Sequence, residues 1–214
     1  MPYTGDVTPD TRSLSTLDIT KLSVGPMDNN AYLLRCKETG DQVLIDAANE
    51  ADRLLALIGA GGLSTVVTTH GHADHWQALE DVVEATGATS IVGAADAGDL
   101  PVSSVTVADG DTVRVGTCTL EVIHLVGHTP GSIALLFRDP DPDGIPHLFT
   151  GDSLFPGGPG RTTNPTDFGS LMDDLEAKVF GRLPDETWFY PGHGKDSTLG
   201  TERPAIPEWR ARGW

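Results

Sequence analysis

Thr69-His70-Gly71-His72-Ala73-Asp74-His75 puts three of the chain's seven histidines and an aspartate within six consecutive positions. Just before it, Thr65-Val66-Val67-Thr68 reads as a short β-branched strand. Just after it, residues 76–84 carry apolar side chains at helical spacing. The stretch is therefore a strand-to-helix turn in an α/β chain, and such turns project side chains from a rigid frame. Imidazole and carboxylate are ligand types that suit Zn, Fe or Mn better than Ca or Mg. His70 and His72 can reach one ion from a tight turn, while Asp74 and His75 can face a second. Chance accounts poorly for His-x-His-x-Asp-His, although a single loop histidine would carry no such weight.

The 214 residues fit one domain large enough to bury a core without disulfides. The formal net charge of −17 repels phosphodiester backbones and anionic lipid, which argues against nucleic acid or a membrane surface as partner. Cys36 and Cys118 stand alone in apolar, strand-like runs and read as buried free thiols, with a single disulfide as the alternative. No basic segment followed by an apolar one opens the chain, and no apolar run reaches the ~18 residues of a membrane span. The expectation is a cytoplasmic protein.

Residues 1–16 are polar and are expected to form a loose arm, with 17–214 as a single domain. Alternation predicts a strand over 17–24, and further strands are expected over 31–36 and 42–46. A helix is expected near 50–58, stopped by Gly59-Ala60-Gly61-Gly62. Beyond the histidine turn, 90–93 reads as a buried strand and 94–99 as a short polar helix. Residues 104–107 and 112–115 look like a hairpin around Asp109-Gly110. Strands follow over 118–125, 133–137, 147–150 and 187–190, with helical spacing over 167–180 and a short helix in the tail from 202. The order suggests two α/β halves without a repeat in sequence.

His128, Asp152 and His193 each sit just past one of these strands, beside Gly or Pro, as the first cluster does. Four strand-end loops would then converge at one edge. On these pieces the chain resembles the metallo-β-lactamase superfamily, most of all its glyoxalase II (hydroxyacylglutathione hydrolase) branch. The matching motifs are the stretch 69–75, Gly127-His128-Thr129-Pro130-Gly131-Ser132, Thr150-Gly151-Asp152-Ser153-Leu154-Phe155, Gly160-Arg161-Thr162 and Tyr190-Pro191-Gly192-His193-Gly194. They span about residues 30–200. The resemblance implies an αββα sandwich with its site along the edge of the sheets. It implies that His70, His72 and His128 bind one metal, that Asp74, His75 and His193 bind the second, and that Asp152 bridges them. It further implies two divalent ions, zinc first with iron or manganese as alternatives. A hydroxide held between them would cleave a small-molecule thioester or related ester, with Asp74 both ligating and orienting it.

Asp152 favours bridging over the cysteine that some β-lactamases place there, and His72 departs from the glutamate of the flavodiiron branch. His124 and His147 read as strand histidines outside the ligand set. Arg161 either closes a loop ion pair or supports Asp152, and Lys195 and Arg203 either meet an anionic substrate tail or form a solvated pair. The helical C-terminal region of longer glyoxalase II enzymes, which helps hold glutathione, is expected to be missing after His193, which leaves the thiol open. The competing readings are a mononuclear-iron persulfide dioxygenase, using His70, His128 and Asp152, and a non-catalytic metal-binding protein.

Overall fold

The computed structural model describes residues 8–213. A seven-stranded sheet takes the first half of the chain in sequence order. Its strands are β1 (Asp10–Ser13), β2 (Leu17–Val24), β3 (Asn29–Cys36), β4 (Gln42–Ile45), β5 (Thr65–Thr68), β6 (Thr89–Gly93) and β7 (Val105–Val107). The first four pair antiparallel through short turns. From β4 onward pairing is parallel, and a parallel pair needs a crossover. Helix α1 (Ala51–Ile58) supplies it between β4 and β5, and α2 (Leu79–Thr86) between β5 and β6.

The second half builds a six-stranded sheet in the order β15-β14-β11-β10-β9-β8. These are β8 (Thr112–Val115), β9 (Cys118–His124), β10 (Ile133–Arg138), β11 (Pro146–Gly151), β14 (Trp188–Pro191) and β15 (Ser197–Thr198). A small hairpin, β12 (Leu154–Phe155) with β13 (Gly158–Pro159), stands apart. Helix α3 (Pro165–Asp174) opens on Asn164, whose side chain caps Asp167 N–H, and continues as a π turn over Leu175–Phe180. Two short helices, α4 (Leu199–Glu202) and α5 (Ile206–Arg212), finish the described chain.

Strand parity explains the layering. In β2, Leu17 and Ile19 face the second sheet, whereas Leu22 and Val24, on the other parity, face the helices. The apolar residues of the chain thus form three layers. One lies between the sheets around Leu34, Ile45, Leu120 and Leu135. One joins the first sheet to α1 and α2, and one joins the second sheet to α3 and α5 through Leu171, Met172 and Trp209. Each fully buried Leu, Ile or Phe contributes about 1.5–3 kcal/mol. The architecture is an αββα sandwich.

Three local expectations give way. Asp10–Ser13, inside the stretch expected to be a loose arm, is the edge strand β1. It is held by the β2 ladder and by the Arg12 guanidinium stacked 3.8 Å from the Trp188 ring; residues 1–7 of that arm lie outside the described residues. The hairpin expected around Asp109-Gly110 does not form, because β7 pairs with β6 and β8 with β9. That turn instead carries the chain from one sheet to the other and docks on β9, with Asp109 accepting from His124 N–H at 2.8 Å. The helix expected over 76–84 starts three residues later, as α2 at Leu79, and is preceded by a separate 3-10 turn over Ala73–His75. Trp76 ends that turn, its φ at −140° and its indole N–H donating to Gly71 O at 2.9 Å. That bond closes the histidine turn on itself.

Candidate metal centre

Parallel strands end at the same edge, so the loops after β4, β5 and β6 meet there, bringing Asp46, residues 69–75 and Asp96 together. From the second sheet, β11 and β14 are also parallel and deliver Asp152 and His193 to the same edge. The β9–β10 connection brings His128. Backbone bonds sew the edge shut: Ile133 N–H donates to Thr69 O at 2.9 Å, and Asn30 N–H to Gly192 O at 2.7 Å.

All seven residues expected from the sequence converge here. His70 Nε2 and His128 Nε2 are 3.3 Å apart, and His72 Nδ1 is 2.9 Å from His128 Nε2. His75 Nε2 and His193 Nε2 are 3.2 Å apart. Asp74 Oδ2 lies 3.5 Å from the former and 3.3 Å from the latter. Asp152 stands between the two triads, with Oδ1 3.4 Å from His75 Nε2 and Oδ2 3.6 Å from His128 Nε2 and 3.4 Å from His193 Nε2. Two nitrogens on one tetrahedral ion, each about 2.0–2.1 Å from it, stand about 3.3 Å from one another.

The outward bonds of the rings decide which nitrogens carry protons. His128 Nδ1 is 2.7 Å from Arg161 O, and His193 Nδ1 is 2.9 Å from Met27 O. A carbonyl only accepts, so both Nδ1 atoms are protonated. The Thr69 hydroxyl donates to Asp46 Oδ2 at 2.8 Å, which leaves its oxygen to accept from His70 Nδ1, 3.1 Å away. His75 Nδ1 likewise donates to Asp46 Oδ2 at 2.9 Å. Four Nε2 lone pairs therefore point inward and face one another in pairs. That arrangement is repulsive unless a cation lies between them, and the donor set fits divalent ions.

The two carboxylates of the cluster are held ionised. Burial raises the Asp152 carboxyl, yet His193 and His75 draw it well below the usual carboxylate range. Its Oδ1 is buried with no hydrogen-bond donor. Burial also raises Asp74, and the Asn29 amide at 2.9 Å with His75 more than offsets it. Burial lowers His70 and His128. It lowers His75 too, but the neighbouring Asp46 and Asp152 carboxylates outweigh it and pull that ring up to about 10.

Glycines make room for this packing. A Cβ on Gly192 would stand 2.1 Å from Asp152 Oδ1, and one on Gly160 1.6 Å from Asp152 O.

Three supporting residues were not singled out from the sequence. Asp46, at φ +57°, accepts from Thr69 N–H at 2.7 Å as well as from the two groups above. Buried Asp96 ties the histidine turn to the His128 turn, accepting from Gly71 N–H at 2.8 Å, the Thr129 hydroxyl at 2.5 Å and Gly131 N–H at 2.7 Å. Asn29 holds Asp74. The only signal for these residues is their place at strand ends.

Of the secondary candidates, Arg161 contributes its carbonyl rather than its exposed guanidinium. Lys195 is exposed. Arg203 is taken up by Asp185 and by the carbonyl of Leu183, so it is structural. His124 bonds Pro130 O, and His147 is buried against the Tyr190 hydroxyl at 2.9 Å; neither joins the cluster. Two cavities flank the centre. One of about 430 Å³ is bounded by His72, Asp99, His128 and Thr163. The other, of about 350 Å³, is bounded by Gly160, Arg161, Phe168 and Arg212.

An αββα sandwich with a histidine- and aspartate-lined edge defines a class, and a family model described as the metallo-beta-lactamase superfamily matches residues 24–193. The chain belongs to that superfamily. Within it, the chain is 37% identical over 181 residues to a hydroxyacylglutathione hydrolase of Rhodospirillum rubrum, covering 84% of this chain and 67% of the relative. It is 38% identical over 167 residues to the hydroxyacylglutathione hydrolase of Cereibacter sphaeroides, covering 78% of this chain and 62% of that one. The chain thus spans about two thirds or less of these relatives. Among solved structures, ETHE1 from Myxococcus xanthus superposes with a TM-score of 0.77 at 32% identity, over 90% of this chain and 84% of that one. A structure of TTHA1623 in a di-iron-bound form gives 0.70 at 31% identity, over 86% and 96%. Among the described residues no helix is long and apolar enough to cross a membrane.

Proposed function

We propose that the chain is a metallo-hydrolase that cleaves the thioester, or a related ester, of a small acyl group. The observation that carries this reading is the pair of complete triads with one carboxylate between them. His70, His72 and His128 would hold one divalent ion, Asp74, His75 and His193 the other, with Asp152 shared. When bound, such a pair lowers the pKa of water toward ~7 and polarises a carbonyl oxygen. Zinc suits the nitrogen-rich donor set, and iron or manganese accept the same ligands.

The protein's own groups do the rest. Asp74 is kept ionised, and Asn29 fixes one of its oxygens, so the carboxylate can orient a water and accept its proton. Asp46, Thr69, Arg161 O and Met27 O lock the rings, so the site is preorganised. A departing thiolate, with a parent thiol near pKa ~8.5, needs little help from a general acid. The names of the curated relatives support a thioester substrate, and their greater length leaves the identity of the thiol to experiment.

Elemental analysis of protein purified without added metal, run beside an assay with S-lactoylglutathione, tests this. Two ions per chain with thiol release are expected. One iron with oxygen uptake on a persulfide and no thiol release would replace the reading by the dioxygenase. Metal without turnover of any acyl thioester would leave a binding protein.

A further inference from the structure

Away from the metal centre, the two sheets approach each other at a pair of thiols. Cys36 closes β3, whose other end, Asn29, touches Asp74 and His193. Seven residues at about 3.3 Å each put Cys36 about 23 Å from that end. Cys118 opens β9 of the opposite sheet, directly after the two-residue turn Gly116-Thr117. The two sulfurs are 4.0 Å apart, and both cysteines are free. Gly116, at φ +58°, keeps this approach open, since a Cβ there would stand 3.0 Å from Cys36 Sγ.

Their access differs. Cys36 is fully buried, whereas Cys118 retains 6% exposure and lies in the wall of a cavity of about 250 Å³ with Thr117, Phe137 and Arg138. Both cysteines sit in strands of the same intersheet core.

We propose that Cys36 and Cys118 form a redox-modification site that a low-molecular-weight disulfide oxidises, entering at Cys118, to a disulfide joining the two sheets. In the first step the Cys118 thiolate attacks one sulfur of the small disulfide, forming a mixed disulfide and expelling one small thiolate. In the second, the Cys36 thiolate attacks Cys118 Sγ, the mixed bond breaks, and a second small thiolate leaves. The protein loses two electrons and two protons, and the small disulfide is reduced to two thiols. The sulfurs close from 4.0 Å to a bond of about 2.05 Å. The cavity receives the small thiol during the mixed stage, and Arg138 on its wall suits an acidic one such as glutathione. The closed bond links positions 82 apart and ties β3 to β9, so it stiffens the sandwich without touching the metal ligands.

The test uses the folded, metal-loaded chain with oxidised glutathione, followed by unfolding, alkylation and peptide mapping. The expected result is loss of both alkylatable thiols, a mass about 2 Da lower, a peptide linking Cys36 to Cys118, a higher melting temperature and unchanged metal content. Cys36→Ser should stop at one glutathione adduct on Cys118, and Cys118→Ser should stay unmodified. Retention of both thiols in the folded wild type, or a lasting adduct with no link, would overturn the proposal. So would linking that occurs only in denaturant. An adduct on Cys118→Ser would overturn the order of access. If either variant fails to fold, the wild-type map alone decides whether the link forms.

Discussion

Replacing Asp46 by Asn probes the tautomer argument at its base. Asp46 is buried, and its oxygens accept from Thr69 N–H at 2.7 Å, the Thr69 hydroxyl at 2.8 Å and His75 Nδ1 at 2.9 Å. Asn keeps the volume and tolerates the φ of +57°, so the backbone is not what the substitution tests. One end of the amide must become a donor. With Nδ2 at the Oδ1 position it meets Thr69 N–H, donor against donor. In the other orientation it meets the Thr69 hydroxyl and His75, and His75 must then move its proton to Nε2, which removes the inward lone pair. Each lost bond to a charged acceptor is worth about 1.5–3 kcal/mol. Loss of such an outer partner lowers metal affinity about 10–100-fold, or about 1.4–2.7 kcal/mol. Competition titration of zinc against a chromophoric chelator reads this, with circular dichroism checking the fold. The ion served by His75 should weaken by that factor, and the one served by His70, His72 and His128 less. If both ions bind the variant as tightly as wild type, the outward bonds do not set the tautomers and the reasoning fails.

Asp152→Ala should abolish hydrolysis and lower the content of both metals; two ions per chain by elemental analysis would remove Asp152 from its shared position. Gly192→Ala should displace Asp152 or His75, because the new Cβ would lie 2.1 Å from Asp152 Oδ1 and 2.7 Å from His75 Cε1, so metal content and melting temperature should fall together. Arg161→Ala and His124→Ala should keep full metal content, since the first retains the carbonyl that holds His128 and the second ligates nothing. Burial and Arg12 lower His147 to about 4 against the opposing pull of Asp139. The unfolded ring, near about 6.5, takes up its proton first, so this stability is full above about pH 6.5 and is lost as pH falls toward 4. Urea midpoints should therefore drop across that window in wild type and change less in His147→Gln.

The longer strands and helices in their order, and all seven converging residues, were legible in the chain, because each depends on a contiguous pattern. Strand alternation, a glycine stop or a histidine just past a β-branched run is written within a few neighbouring positions. The superfamily followed from those motifs taken together. What the chain did not disclose was set by distant pairing. The short strands β7 and β8 looked like one hairpin, and only their partners β6 and β9 assign them to different sheets. Arg12 had no visible reason to order the arm until Trp188 came beneath it. Asp46 and Asp96 are ordinary aspartates in sequence, and they support the centre because the fold brings N–H and hydroxyl donors from 23 to 35 positions away to their oxygens. The proton positions on the histidines belong to the same level. A ring's residue type is local, but its free lone pair depends on which acceptor, Met27 O or Arg161 O, the tertiary structure sets behind it.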